Sequence, residues 1–181
     1  MTLSETTSFQ QVWGGGVLLG MLVVGGVTWF FPISKKVLAT IGGAGTAFGL
    51  GLLTLCALTQ QQALLHPSLL VMGLCTGMFN VGALSMMMDM TVPGATGLYM
   101  GLWGIAQAFG TGVASIISGS LKSALIETGL LSAQFGYTAI FGLETLVMVV
   151  GIAVLRVVSV EAFHGLTRED VTRVMEATAT A

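Results

Sequence analysis

VLATIGGAGTAFGLGLLTLCAL, residues Val37–Leu58, opens a run with no Asp, Glu, Lys or Arg before Asp89. A charge-free stretch of that length cannot coat a soluble domain. Crossing ~30 Å of hydrocarbon takes ~20 mostly apolar residues in helical form, and the run is long enough to cross twice. Working outward by that ruler, five spans emerge: Val12–Phe31, Val37–Leu58, Ser68–Met90, Gly97–Leu121 and Phe135–Val158. Pro32, Pro67 and Pro93 are expected in the connections, because proline stops helices. A transmembrane β-barrel would instead show short alternating segments. The fold class is all-α, a polytopic transmembrane helix bundle.

The whole composition agrees. Of 181 residues, 54% are hydrophobic and 8% charged, against roughly 25% charged in soluble domains. A net charge of −2 supplies no basic surface for phosphates, which argues against nucleic-acid binding. Cys56 and Cys75 both fall in apolar runs and read as small hydrophobes. Residues 1–11 form a short polar segment without the positive charge of a secretory or transit signal. Residues 12–158 form the bundle and 159–181 a tail, in which Thr167-Arg168-Glu169-Asp170 resembles a capping box opening a short helix through Met175.

Lys35 and Lys36 follow the first span, and Arg156, Arg168 and Arg173 lie at or beyond the end of the fifth. With five spans these regions share one side, and only Lys122 lies on the other. The positive-inside rule makes the five-charge side, and so the C-terminus, cytoplasmic. Trp29-Phe30-Phe31 and Trp13 then mark opposite interfaces. An odd helix count with Met1 outside is the pattern expected of a truncated even-numbered bundle.

Glycine pairs at four-residue spacing, Gly16/Gly20, Gly45/Gly49, Gly73/Gly77 and Gly97/Gly101, predict close helix–helix contact on four spans. Polar groups at membrane depth are functional candidates. Asn80, Gln107 and Glu144 lie near the middles of the third, fourth and fifth spans, where they could converge at the depth at which transporters bind substrate. Glu144 is open to three readings: an interhelical hydrogen bond that locks the bundle, a pigment or substrate contact, or a proton carrier. Asn80 and Gln107 equally fit interhelical hydrogen bonds. Tyr99, Trp103 and Gln107 recur at i, i+4 and i+8, a stripe that suits packing or a flat ring with the amide oxygen near its central metal.

Asp89 closes the third span at the negative end of the helix dipole, where Lys35, Lys36 or the first amides of the fourth helix could compensate it, or where it stays a solvated interfacial carboxylate. Met86-Met87-Met88 with Met90 is adaptable apolar filler. His66, placed in the outer loop, and His164, in the tail, lack metal-ligand spacing and read as surface residues. No phosphate loop, nucleophile triad or HExxH pattern occurs, so the chain is not expected to be an enzyme.

Gly82-Ala-Leu-Ser-Met-Met-Met-Asp89-Met-Thr-Val92, followed by Gly97-Leu-Tyr-Met-Gly-Leu-Trp103-Gly-Ile-Ala-Gln107-Ala, resembles the PucC family of bacteriochlorophyll-delivery proteins within the major facilitator superfamily, most closely its cyanobacterial-type members. Thr6-Thr7 through Trp13-Gly14-Gly15-Gly16 to Met21 resembles the start of that family's eighth helix. The resemblance implies a twelve-helix fold of two halves with both ends cytoplasmic, of which the spans here correspond to helices eight to twelve. It implies a role in assembling chlorophyll-based light-harvesting complexes, by delivering pigment or chaperoning apoproteins, in a thylakoid or photosynthetic inner membrane. The loop Pro32–Lys36 lacks the Asp and much of the Gly pattern of the superfamily's loop signature. The first half and seventh helix have no counterpart, so one copy cannot enclose a transport path. In that fold the last helix is peripheral, which places Glu144 away from a central cavity.

Three expectations follow. The first is a PucC-like protein that binds or delivers chlorophyll, with Asn80, Tyr99, Trp103, Gln107 and Glu144 as pigment contacts and photosystem or light-harvesting subunits as partners within the lipid. The second is a structural subunit held stably in a photosynthetic complex. The third is half of a proton-coupled transporter completed by a second chain that supplies the missing helices.

Overall fold

A computed structural model describes residues 3–91 and 94–158. The expected tail helix, His164, Arg168, Arg173 and Pro93 lie outside the described residues. Five long helices follow one another: α1 (Leu3–Phe30), α2 (Lys35–Thr59), α3 (Leu65–Asp89), α4 (Thr96–Lys122) and α5 (Ala133–Val157). All five are long and apolar enough to cross a membrane, and no strand occurs among the described residues. Four of them start and end within three residues of the bounds expected from hydropathy. The exception is α1, which takes in most of the polar N-terminal segment. Pro67 lies inside the first turn of α3 rather than in a connection. Its missing N–H costs nothing there, because the first amides of a helix have no intrahelical partner.

Many hydroxyls in the spans are satisfied within their own helix, as a bilayer favours. Hydroxyls of Thr40, Thr46, Thr54, Ser68, Thr76, Thr138 and Thr145 each donate to the carbonyl four residues earlier, at 2.6–2.9 Å. Thr46 and Thr76 also meet across α2 and α3, Oγ1 to Oγ1 at 3.3 Å. At the end of α2, Gln60 takes a left-handed conformation (φ 55°) and the Cys56 thiol donates to the Gln61 carbonyl at 3.1 Å, which stops the helix.

Packing is uneven. α3 lies against both α1 and α2, and α5 packs on α2. The buried side chains (Val24, Leu38, Ala39, Ala47, Leu53, Cys56, Ala83, Met86, Ile140) sit on these four helices. Glycine makes the approach possible. A methyl group at Gly20 would fall inside 3.0 Å of the Leu74 carbonyl, one at Gly77 would meet the Val17 carbonyl, and one at Gly42 the Phe79 amide. Gly45 and Gly49 face Cys75 and Met72 in the same way. Three of the four expected glycine pairs are therefore used in helix contacts. The fourth, Gly97/Gly101 on α4, meets nothing within 4 Å. No residue of α4 is buried, and its contact with α5 is slight.

After α4 the chain winds into a π-helical turn, Ser123–Glu127, in which the Thr128 amide donates to the Ser123 carbonyl at 3.2 Å. Lys122 pairs with Glu127 at 3.4 Å at this end of the molecule.

Candidate functional site

The charged end is built by α2, α3 and α5. Lys35 Nζ donates to Asp89 Oδ1 at 2.5 Å, so the carboxylate at the unfavourable end of the α3 dipole has a cation as partner. Lys36 Nζ donates to the carbonyls of Arg156 (2.8 Å) and Val158 (2.6 Å) at the C-terminal end of α5, where a cation is favoured. Two adjacent lysines thus tie the start of α2 to the ends of α3 and α5. Both partners of the Lys35–Asp89 pair are substantially exposed (47% and 38%), so the pair itself adds no more than ~1 kcal/mol. Its main effect is geometric, holding three helix ends together.

Where α4 touches α5, Ser118 Oγ donates to Glu144 Oε1 at 2.9 Å, and both residues are half-buried. This is the interhelical hydrogen bond of the simplest expectation for Glu144, with a partner the sequence reading did not single out. Ser118 falls on the same face of α4 as Tyr99, Trp103 and Gln107 when the stripe is continued at 3.6 residues per turn. That continuation is the signal that could have found it. On the same side of α5, Tyr137 and Phe141 stack with ring centroids 6.2 Å apart.

The other expected residues lie elsewhere on α3 and α4. Asn80 is half-buried on α3, and α3 and α4 make no extended contact. Tyr99 and Trp103 are half-buried on α4, and Gln107, one turn further, is exposed. The stripe thus presents two half-covered rings followed by an amide open to whatever lies beside the helix. His66 lies in the first turn of α3 instead of a loop; it is exposed, with its ring 5.3 Å from that of Phe9 on α1.

The model of the family described as PUCC protein matches residues 1–163. The chain belongs to the PUCC family. Among curated relatives, the bacteriochlorophyll synthase 44.5 kDa chain of Rhodobacter capsulatus is 31% identical over 172 residues, which is 92% of this chain and 39% of the relative. Protein PucC of Cereibacter sphaeroides is 31% identical over 166 residues, 86% of this chain and 35% of that protein. A protein of the puhA-bchM intergenic region of Rhodobacter capsulatus, uncharacterised by name, is 27% identical over 167 residues, 86% of this chain and 34% of its own length. This PUCC-family chain therefore spans between a third and two fifths of the relatives it matches. No solved structure matches it.

Proposed function

We propose that this PUCC-family chain is a pigment-handling membrane protein that binds or delivers chlorophyll and assists assembly of a light-harvesting or photosystem complex. The observation that carries this reading is the family match over residues 1–163, with one relative named as a bacteriochlorophyll synthase chain and another as PucC. The α4 stripe supplies the chemistry: Tyr99 and Trp103 offer flat apolar surface, and Gln107 offers an amide oxygen, a hard donor that suits magnesium. Glu144, fixed by Ser118, and Asn80 are the further polar groups available to a macrocycle's substituents. The pigment is cargo in this account, and no covalent step is asked of the chain.

The finer placement is part of the same proposal. The five helices correspond to helices eight to twelve of a facilitator-type fold, and the end holding Lys35, Lys36 and Arg156 faces the cytoplasm. The membrane is a thylakoid or photosynthetic inner membrane, and photosystem or antenna subunits are the partners. A permanent structural subunit would differ by leaving the membrane in fixed stoichiometry with such a complex.

The site is tested by titrating the purified chain in detergent with chlorophyll a, in a background carrying Trp13→Phe and Trp29→Phe so that Trp103 is the reporter. Saturable quenching near one pigment per chain is expected, weakened about tenfold by Gln107→Leu, which corresponds to ~1.4 kcal/mol. Quenching that never saturates, or that Gln107→Leu leaves unchanged, would remove the stripe as the pigment contact.

A further inference from the structure

The two ends of the molecule differ in charge. At one end Lys122 is matched by Glu127. At the other, among the described residues, Lys35, Lys36 and Arg156 stand against Asp89 alone, which leaves a surplus of two positive charges. The two lysines point to different neighbours. Lys35 shares a face of α2 with Ala39 and Gly42, which meet α3, and it reaches Asp89. Lys36 shares the next face with Gly43, which meets Ile152 of α5, and it reaches the carbonyls of Arg156 and Val158.

These bonds leave donors over. An ammonium group has three N–H donors, of which Lys36 uses two and Lys35 one. Arg156 is exposed, and its guanidinium has no hydrogen-bonded or ion-paired partner among the described residues. A planar guanidinium beside an ammonium suits the oxygens of a phosphate.

The surroundings of these donors are apolar. Trp29, Phe30 and Phe31, which precede the lysine pair, are 64–85% exposed, and aromatic side chains of this kind mark the headgroup level of a bilayer. Along α5, Leu146, Val149, Ala153 and Arg156 follow at intervals of three, four and three residues, so they share one face, and all four are exposed. An apolar lane therefore runs from the guanidinium toward the middle of the span. A soluble anion would satisfy the donors and leave that lane uncovered. A ligand with an anionic head and long apolar chains covers both.

We infer that the corner where Lys36 of α2 meets Arg156 of α5 is a binding site for one anionic phospholipid. Its phosphodiester takes the spare N–H groups of Lys36 and Lys35 and the Arg156 guanidinium, and an acyl chain lies along Ala153, Val149 and Leu146. The lipid then joins α2 to α5 beside the bonds that Lys36 already makes. This site does not depend on the pigment reading.

The test is native mass spectrometry of the full chain in detergent, titrated with phosphatidylglycerol and, separately, with phosphatidylcholine. A one-to-one phosphatidylglycerol adduct is expected, with about tenfold preference over phosphatidylcholine and no displacement by excess inorganic phosphate. Each cation removed is expected to weaken it about fivefold, so Arg156→Gln costs that factor and Lys36→Gln with Arg156→Gln about twentyfold. Arg156→Gln removes no side-chain hydrogen bond of the fold, so it reads the site even if the double variant is unstable. Lys122→Gln, at the other end, is the control and leaves the adduct unchanged. Equal binding of the two lipids, a preference that survives Arg156→Gln in full, or displacement by inorganic phosphate would each overturn the inference.

Discussion

Gly20→Leu is expected to abolish the packed state of the bundle, while Gly101→Leu leaves its stability unchanged. At Gly20 even a methyl carbon would overlap the backbone of Leu74, and the neighbouring contact is Gly77 against Val17, so neither α1 nor α3 can rotate to make room. Overpacking against mobile side chains costs about 1–3 kcal/mol; against two backbones the loss lies at or above the top of that range. At Gly101 a new side chain points into open space, and the change stays within about 0.5 kcal/mol. Thermal unfolding in mild detergent, followed by aggregation or cysteine exposure at Cys75, distinguishes the two. Cys75 is an internal reporter because it packs against Gly45. Equal melting of the two variants would mean that the α1–α3 interface does not hold the bundle.

Replacing both Lys35 and Lys36 by glutamate is expected to have the second largest effect, because it acts on assembly and on topology together. Lys35→Glu sets like charges beside Asp89, and Lys36→Glu presents an anion to the carbonyls of Arg156 and Val158 where a cation had donated to both. The contact between α2 and α5 loses its tie at that end. The same change removes two of the chain's six positive charges, and leaves the loop after the first span negative, which the positive-inside rule predicts to weaken its orientation. A substantial fraction of chains inserted with reversed or incomplete topology is expected, measured by labelling of single cysteines placed in the loop and at the Lys122 end. Uniform, unchanged topology would show that the loop charges do not orient this chain.

The fold was legible because hydropathy alone marks a membrane helix. The charge-free run from Val37 to Met88 required two crossings, and α2 and α3 fall on it. The Lys35–Asp89 pair was among the legible options, since a carboxylate at a helix C-terminus favours a nearby cation, though the amides of the fourth helix or solvent could equally have served. Less could be read of how the helices associate. Gly97/Gly101 carries the same local pattern as Gly16/Gly20, yet one pair is open and the other packed, because the spacing states that a face is able to pack and not what lies opposite. Ser118 was missed for a related reason. A serine in a span normally satisfies itself on its own helix, as Ser68 does with Leu64, so its bond to Glu144 depends on how α4 sits beside α5. The π-helical turn at Ser123–Glu127 has no proline or glycine to announce it.

Purifying the tagged chain from its native photosynthetic membrane in mild detergent, with an absorption spectrum and identification of the proteins that accompany it, tests the proposed function most directly. The account predicts chlorophyll in near-integer ratio to the chain together with antenna or photosystem subunits. A colourless preparation without photosynthetic partners would contradict it.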